Sequence, residues 1–212
     1  MFGCLRGLIR LIILLIIAAA GYYWYTHRTG NATPSVGAAT ATWTTVTPAD
    51  AERGRQIVAT LKSGSGRVFA NLTPAQAVAY LIQASAKQLP ETAQDIQATI
   101  VGDTLMVRAV LPLRSLGAGK VLGPLASLLG TSDSVQLSGT ADVVRSGLAQ
   151  FRVTDFMIHD LSIPHAVIPK LIAQLRHSAP AGLAPNGFAI PLPPYVADIR
   201  IANGKVTLYK NV

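Results

Sequence analysis

A single cysteine, Cys4, stands in 212 residues, which excludes an intramolecular disulfide framework and the cysteine-rich zinc sites. Charge is scarce as well. Asp, Glu, Lys and Arg make up 13% of the chain and aromatic residues 6%, and the densest basic set is Arg53, Arg55 and Lys62 on one expected helix. Nucleic-acid recognition draws on clustered cations interleaved with stacking rings, and neither is present, so no nucleic acid is expected as a partner. Sequence signatures of catalysis are missing too: there is no G-x-S-x-G elbow and no H-E-x-x-H helix. Gly119-Lys120 fails the phosphate-loop pattern at both ends, and the glycines from Gly117 to Gly123 are spaced one residue too widely for a dinucleotide fingerprint. Acidic residues outside one cluster are scattered singly, which removes a paired-carboxylate hydrolase. That cluster is Asp155, His159, Asp160 and His165. Asp155 and His159 share strand parity, Asp160 points oppositely and His165 follows a proline, so an ordinary polar strand end is expected rather than a metal or acid–base site. These absences predict no enzyme, no catalytic residue, no metal and no cofactor.

What the chain does have is apolar surface. Half its residues are hydrophobic and mean hydropathy is +0.39, a composition for burial rather than disorder. From Leu8 to Tyr25 runs LIRLIILLIIAAAGYYWY, interrupted only by Arg10. As a helix its 18 residues would span about 27 Å, enough for a thin bilayer. Leu11, Leu14 and Ile17 would face lipid, Arg10 would snorkel at one end, and Tyr22 and Trp24 belong to an aromatic cluster suited to the opposite interface. Arg6 precedes the run and Arg10 lies at its start, so the positive-inside rule puts the N-terminus in the cytoplasm and the rest outside, as a single-pass protein of the cell membrane. A cleaved signal peptide ending near Ala18-Ala19-Ala20 is the alternative, and it also exports the remainder. The formal charge of +8 falls to +5 once Arg6, Arg10 and Arg28 are assigned to this segment, leaving fifteen basic residues against ten acidic ones.

Three regions are therefore expected: a cytoplasmic start and signal anchor over residues 1–28, an uncharged Thr/Ala-rich tether over 29–46, and an exported α+β domain over 47–212. Thr47-Pro48-Ala49-Asp50 and Thr73-Pro74-Ala75-Gln76 both read as helix starts, with a capping residue followed by proline at the first helical position. Beyond Asp95 the period changes to two. Hairpins are expected around Gly102-Asp103, around Ser146-Gly147 with a bulge near Asp155, and around Asn203-Gly204, where a type I′ turn would pair Ile201 with Val206 and Ile199 with Leu208. Two oily insertions, 111–130 and 163–175, separate the hairpins and need an apolar partner. The expected fold is a curved antiparallel sheet of hairpins packed on one or two helices, preceded by the transmembrane helix.

Three stretches carry a family resemblance: Leu72-Thr-Pro-Ala-Gln-Ala-Val-Ala-Tyr-Leu-Ile, then Phe151 through Pro164 with Leu171-Ile, and Ile190 through Val206 with its proline-rich crossing and terminal hairpin. Together they resemble bacterial membrane-anchored proteins related to tubular lipid-binding (TULIP-like) domains, of the YpmS-type and mycobacterial lipomannan-elongation-type groups. The resemblance implies a groove that takes acyl chains, with membrane lipid as the partner and no covalent chemistry. The candidate lipid contacts are Ile100, Leu105, Val107, Leu122, Leu125, Phe151, Val153, Val167 and Leu171, which are also core candidates. The alternative is a structural or partner-binding envelope protein whose core is filled by its own side chains.

Overall fold

Thr47 and Thr73 begin the first two helices by the same device. In each, the threonine hydroxyl accepts from the backbone N–H three residues on, and that residue's side chain accepts from the threonine N–H: Asp50 Oδ2 at 3.1 Å from Thr47 N, and Gln76 Oε1 at 3.0 Å from Thr73 N. The computed structural model describes residues 42–62, 67–84, 93–113, 123, 127, 130–176 and 180–211. Helix α1 (Pro48–Thr60) buries Ala51, Gly54 and Val58, and helix α2 (Pro74–Ala84) buries Ala75, Ala77, Val78 and Ala79. They cross at Gly54, where a Cβ would stand 2.9 Å from the Gln76 carbonyl oxygen. Only glycine lets the two backbones meet so closely.

The strands form two sheets rather than the single sheet expected. In the larger, β1 (Thr44–Thr45), β3 (Gln94–Val101), β4 (Thr104–Leu111), β5 (Asp133–Arg145), β6 (Leu148–Ile158) and β7 (Leu161–Ser162) lie in that order. A seventh strand, β8 (Gly187–Pro191), pairs with the first half of β6, while β7 pairs with its last two residues. The smaller sheet has the order β2-β10-β9, made from β2 (Phe69–Leu72), β9 (Val196–Ala202) and β10 (Lys205–Lys210). All of these pairings are antiparallel. The terminal hairpin left the main sheet because β2, a strand not anticipated between the two helices, offers β10 a partner from Leu72↔Val206 to Phe69↔Tyr209.

Local registers follow the turn chemistry. Gly102 has positive φ and the β3–β4 hairpin pairs Ile100 with Leu105; Asn203 and Gly204 both have positive φ, and Ile201 opposes Val206 as a type I′ turn requires. In the β5–β6 hairpin, Ser138 opposes Asp155 while Gly139 opposes Val153, so Thr154 is the extra residue of a bulge. Its hydroxyl donates to the Ser138 carbonyl at 3.1 Å. The bulge reverses side-chain parity, which lets Phe151 and Val153 before it and Phe156 and Ile158 after it all be buried.

The expected tether ends earlier than residue 46. Thr44 and Thr45 pair with Ala98 and Gln97, Val46 packs against the core, and the Arg108 guanidinium lies 4.4 Å from the Trp43 ring centre while its N–H groups donate to Gln97. An edge strand is available to any extended Thr-rich segment, which an aperiodic composition does not reveal. Helix α3 (Ile168–Leu175) starts at the proline of the second oily insertion and buries Ile168, Leu171 and Ile172. Most of the first insertion, and the anchor residues Arg10, Leu11, Leu14, Ile17, Tyr22 and Trp24, lie outside the described residues. Among the described residues no helix is long and apolar enough to cross a membrane.

Candidate functional site

Alternation along β3, β4, β5 and β6 turns one face of the large sheet toward α2 and α3, and the helices do not fill the space above it. A cavity of about 190 Å³ remains, partly open, and among the described residues every lining side chain is aliphatic or aromatic. Its floor comes from Leu105, Val107, Ala109 and Leu111 of β4, Val135 and Leu137 of β5, and Phe151 and Phe156 of β6. Val78, Leu81 and Ile82 of α2 and Leu175 of α3 form the far wall, and Phe188, Ala189 and Ile190 of β8 close one side. For scale, an apolar cavity of about 150 Å³ stays dry and takes up a benzene-sized molecule.

The side near β8 is held by polar contacts that face away from the cavity. Gln150 Oε1 accepts from the Ala184 N–H at 2.8 Å, Asn186 Nδ2 donates to the Val153 carbonyl at 2.7 Å, and Arg176 Nη1 donates to the Gly187 carbonyl at 3.1 Å. The chain between α3 and β8 is thereby fastened to β6, which fixes where Phe188 stands. Gly139 performs the corresponding service on the floor. A Cβ there would sit 2.1 Å from the Arg152 carbonyl oxygen and 2.9 Å from Phe151 Cζ, so glycine makes room for the Phe151 ring.

Of the expected lipid contacts, Leu105, Val107 and Phe151 line this cavity. Ile100 is half-buried against the core, Val153 is buried, and Val167 and Leu171 pack where α3 meets the core; none of these four lines it. Leu171 and Ile172 face inward from α3 but are wholly consumed by packing, and only Leu175, one turn on, reaches the cavity. Leu122 and Leu125 lie outside the described residues. Sequence reasoning missed β8 altogether, treating its end as an irregular proline-rich crossing. The signal was the short run Phe188-Ala189-Ile190 bracketed by Gly187 and Pro191.

The polar cluster does not assemble as a site. Asp155, Asp160 and His165 are exposed, and His159 instead meets a residue not considered with it: its Nε2 is 3.1 Å from Oδ1 of the fully buried Asp133. The same oxygen accepts from the Gly130 N–H at 2.7 Å, and the pair ties the start of β5 to the end of β6. Among the described residues no three His, Cys, Asp or Glu side chains come together as a metal site. At the opposite side of α2, Tyr195 donates to the Val58 carbonyl at 3.4 Å. Burial raises the pKa of Tyr195; burial, and then the neighbouring Tyr195, raise that of Tyr80.

Comparison of the chain with protein-family models, with curated proteins and with solved structures finds no match.

Proposed function

We propose that the domain binds a lipid or another long apolar molecule, without covalent chemistry, outside the cytoplasm and next to the membrane in which the N-terminal apolar run is anchored. The observation that carries this reading is the cavity of about 190 Å³, whose lining among the described residues consists of aliphatic and aromatic side chains with no polar side chain to orient a reacting substrate. The resemblance to TULIP-like proteins supports the same ligand class. The cavity also favours this reading over the filled-core envelope protein.

The magnitudes restrict the ligand further. At about 30 Å³ for a water-sized group, the cavity accommodates roughly six methylenes. Burying them is worth about 0.8 kcal/mol each, or roughly 5 kcal/mol in all. Association alone costs at least about 4 kcal/mol, so a short free chain would bind weakly. Useful occupancy requires a ligand already concentrated nearby or one whose remaining length makes contacts beyond the cavity. A membrane lipid meets both conditions.

The test is uptake of a fluorescent fatty acid, together with mass spectrometry of lipid that co-purifies with the protein. Wild type is expected to take up the probe, and Ala109→Phe, which projects a ring into the cavity, to reduce uptake at least about tenfold while melting no lower, since filling a void removes a destabilising feature. No uptake by wild type and no retained lipid would leave the filled-core reading standing.

A further inference from the structure

The outer face of the small sheet carries what the interior does not need. Ala70, Leu72, Ile199, Ile201, Val206 and Leu208 turn inward and are buried, so the sheet already has its core contact. Phe69 nevertheless stands outward and 45% exposed, with Val68 beside it at 53%. The Phe69 and Tyr209 ring centres are 6.2 Å apart, and the Arg200 guanidinium lies 5.1 Å from the Tyr209 ring centre. Lys205 projects from the same outward parity of β10, and exposed Arg67 immediately precedes the apolar pair. Against these cations the face has, among the described residues, one carboxylate, Asp198, which is engaged by Arg200 at 2.9 Å.

We propose that this face docks on an anionic lipid surface, with Val68 and Phe69 entering the headgroup boundary and Arg67, Arg200 and Lys205 meeting lipid phosphates. Charge complementarity selects the occupant: cations around exposed apolar and aromatic side chains fit an interface that is negative at its surface and apolar just beneath. The Phe69 and Tyr209 rings are tilted 42° to each other and Arg200 lies over the Tyr209 ring, so the pair does not offer the parallel ring faces on which successive bases of a single-stranded nucleic acid would stack. Docking rests on the membrane-proximal part of the function proposed above but is independent of whether the cavity holds a ligand. A tether alone would hold the domain near the bilayer in any orientation; this face would select one.

The experiment uses the full chain carrying Cys4→Ser and a nitroxide at Ala202→Cys, an exposed outward position opposite Lys205. Collisions of the label with dissolved oxygen and with a water-soluble nickel chelate are compared in vesicles of phosphatidylcholine alone and of phosphatidylcholine with phosphatidylglycerol. In the anionic vesicles the label should gain oxygen and lose nickel collisions; in the neutral ones it should stay as in water. Lys205→Glu should lower the docked-to-undocked ratio about fivefold or more, the effect expected for one cation at an anionic surface. Phe69→Ser, on an exposed side chain the core does not use, should lower it separately. Identical collision ratios in both vesicles, or docking indifferent to Lys205→Glu, would overturn the proposal. Equal protection by a soluble polyanion without vesicles would overturn it in favour of nucleic acid. Fatty-acid uptake measured on the same samples separates the two readings: uptake without docking defeats this proposal alone, and docking without uptake defeats the cavity reading alone.

Discussion

The two sides of helix α2 are built from the same kinds of residue and end differently. Toward the small sheet, Tyr80 and Leu81 meet Ile199, Ile201, Val206 and Leu208, and the space left over is about 30 Å³. Toward the large sheet, Val78, Leu81 and Ile82 look across about 190 Å³. Leu81, Leu105 and Ile190 border both spaces, so the contrast is between neighbours under one helix. A second sheet supplies branched side chains opposite the helix on the filled side. On the open side, among the described residues, the helices α2 and α3 stand opposite, and Ala93, Ala109 and Ala189 line the space with small side chains. Hydrophobic alternation thus determines which way a strand faces, while the opposing layer determines whether the volume is filled.

The largest effect should come from truncation on the filled side. Leu208→Ala is expected to lose about 3 kcal/mol in urea unfolding, whereas Val107→Ala, whose side chain already borders empty space, should lose about 1 kcal/mol. Equal losses would break the comparison. Next, Gly139→Ala should cost about 2 kcal/mol, because its Cβ collides with the Arg152 carbonyl and the Phe151 ring, and fatty-acid uptake should fall with it as the cavity floor shifts. A variant as stable as wild type would show that β5 and β6 separate there without penalty. The smallest effect concerns pH. Tyr80 borders the filled space, and its pKa is raised by burial first and by Tyr195 second. A raised folded-state value means the stabilisation is complete below the ordinary tyrosine value of 10.0 and is lost as pH rises through the higher folded value. Tyr80→Phe should therefore flatten the alkaline decline in stability, and an unchanged decline would mean that this side is wetter than its packing indicates.

The same contrast explains what could be read in advance. Thr47, Thr73, Gly102 and Asn203-Gly204 act through backbone geometry within a few residues, and the helices and hairpins they specify appear in the expected registers. The bulge beside Asp155 was legible because Phe151 and Phe156 cannot both face inward on an uninterrupted strand. By contrast, β1, β2 and β8 are short, and each owes its strand character to a distant partner: Ala98, Val206 and Ala149 respectively oppose Thr44, Leu72 and Ile190. Division into two sheets followed from those partners. For the cavity, Leu105, Val107 and Phe151 were visible as inward residues of long alternating strands, but emptiness is a property of the opposing layer, so Val153 and Leu171 carried the same sequence signature and are packed solid.

The pairing of β2 with β10 also determines when the domain can be completed. Leu72 waits for Val206 and Phe69 for Tyr209, so the smaller sheet closes between residues near opposite ends of the domain. During synthesis the helices and the first hairpin can form from local contacts, but β2 has no partner until the last segment of the domain has emerged. Until then the apolar side chains of α2 that will meet β9 and β10 stand open to water. Closure of the smaller sheet is what covers them, and it places Phe69 beside Tyr209 on the finished surface.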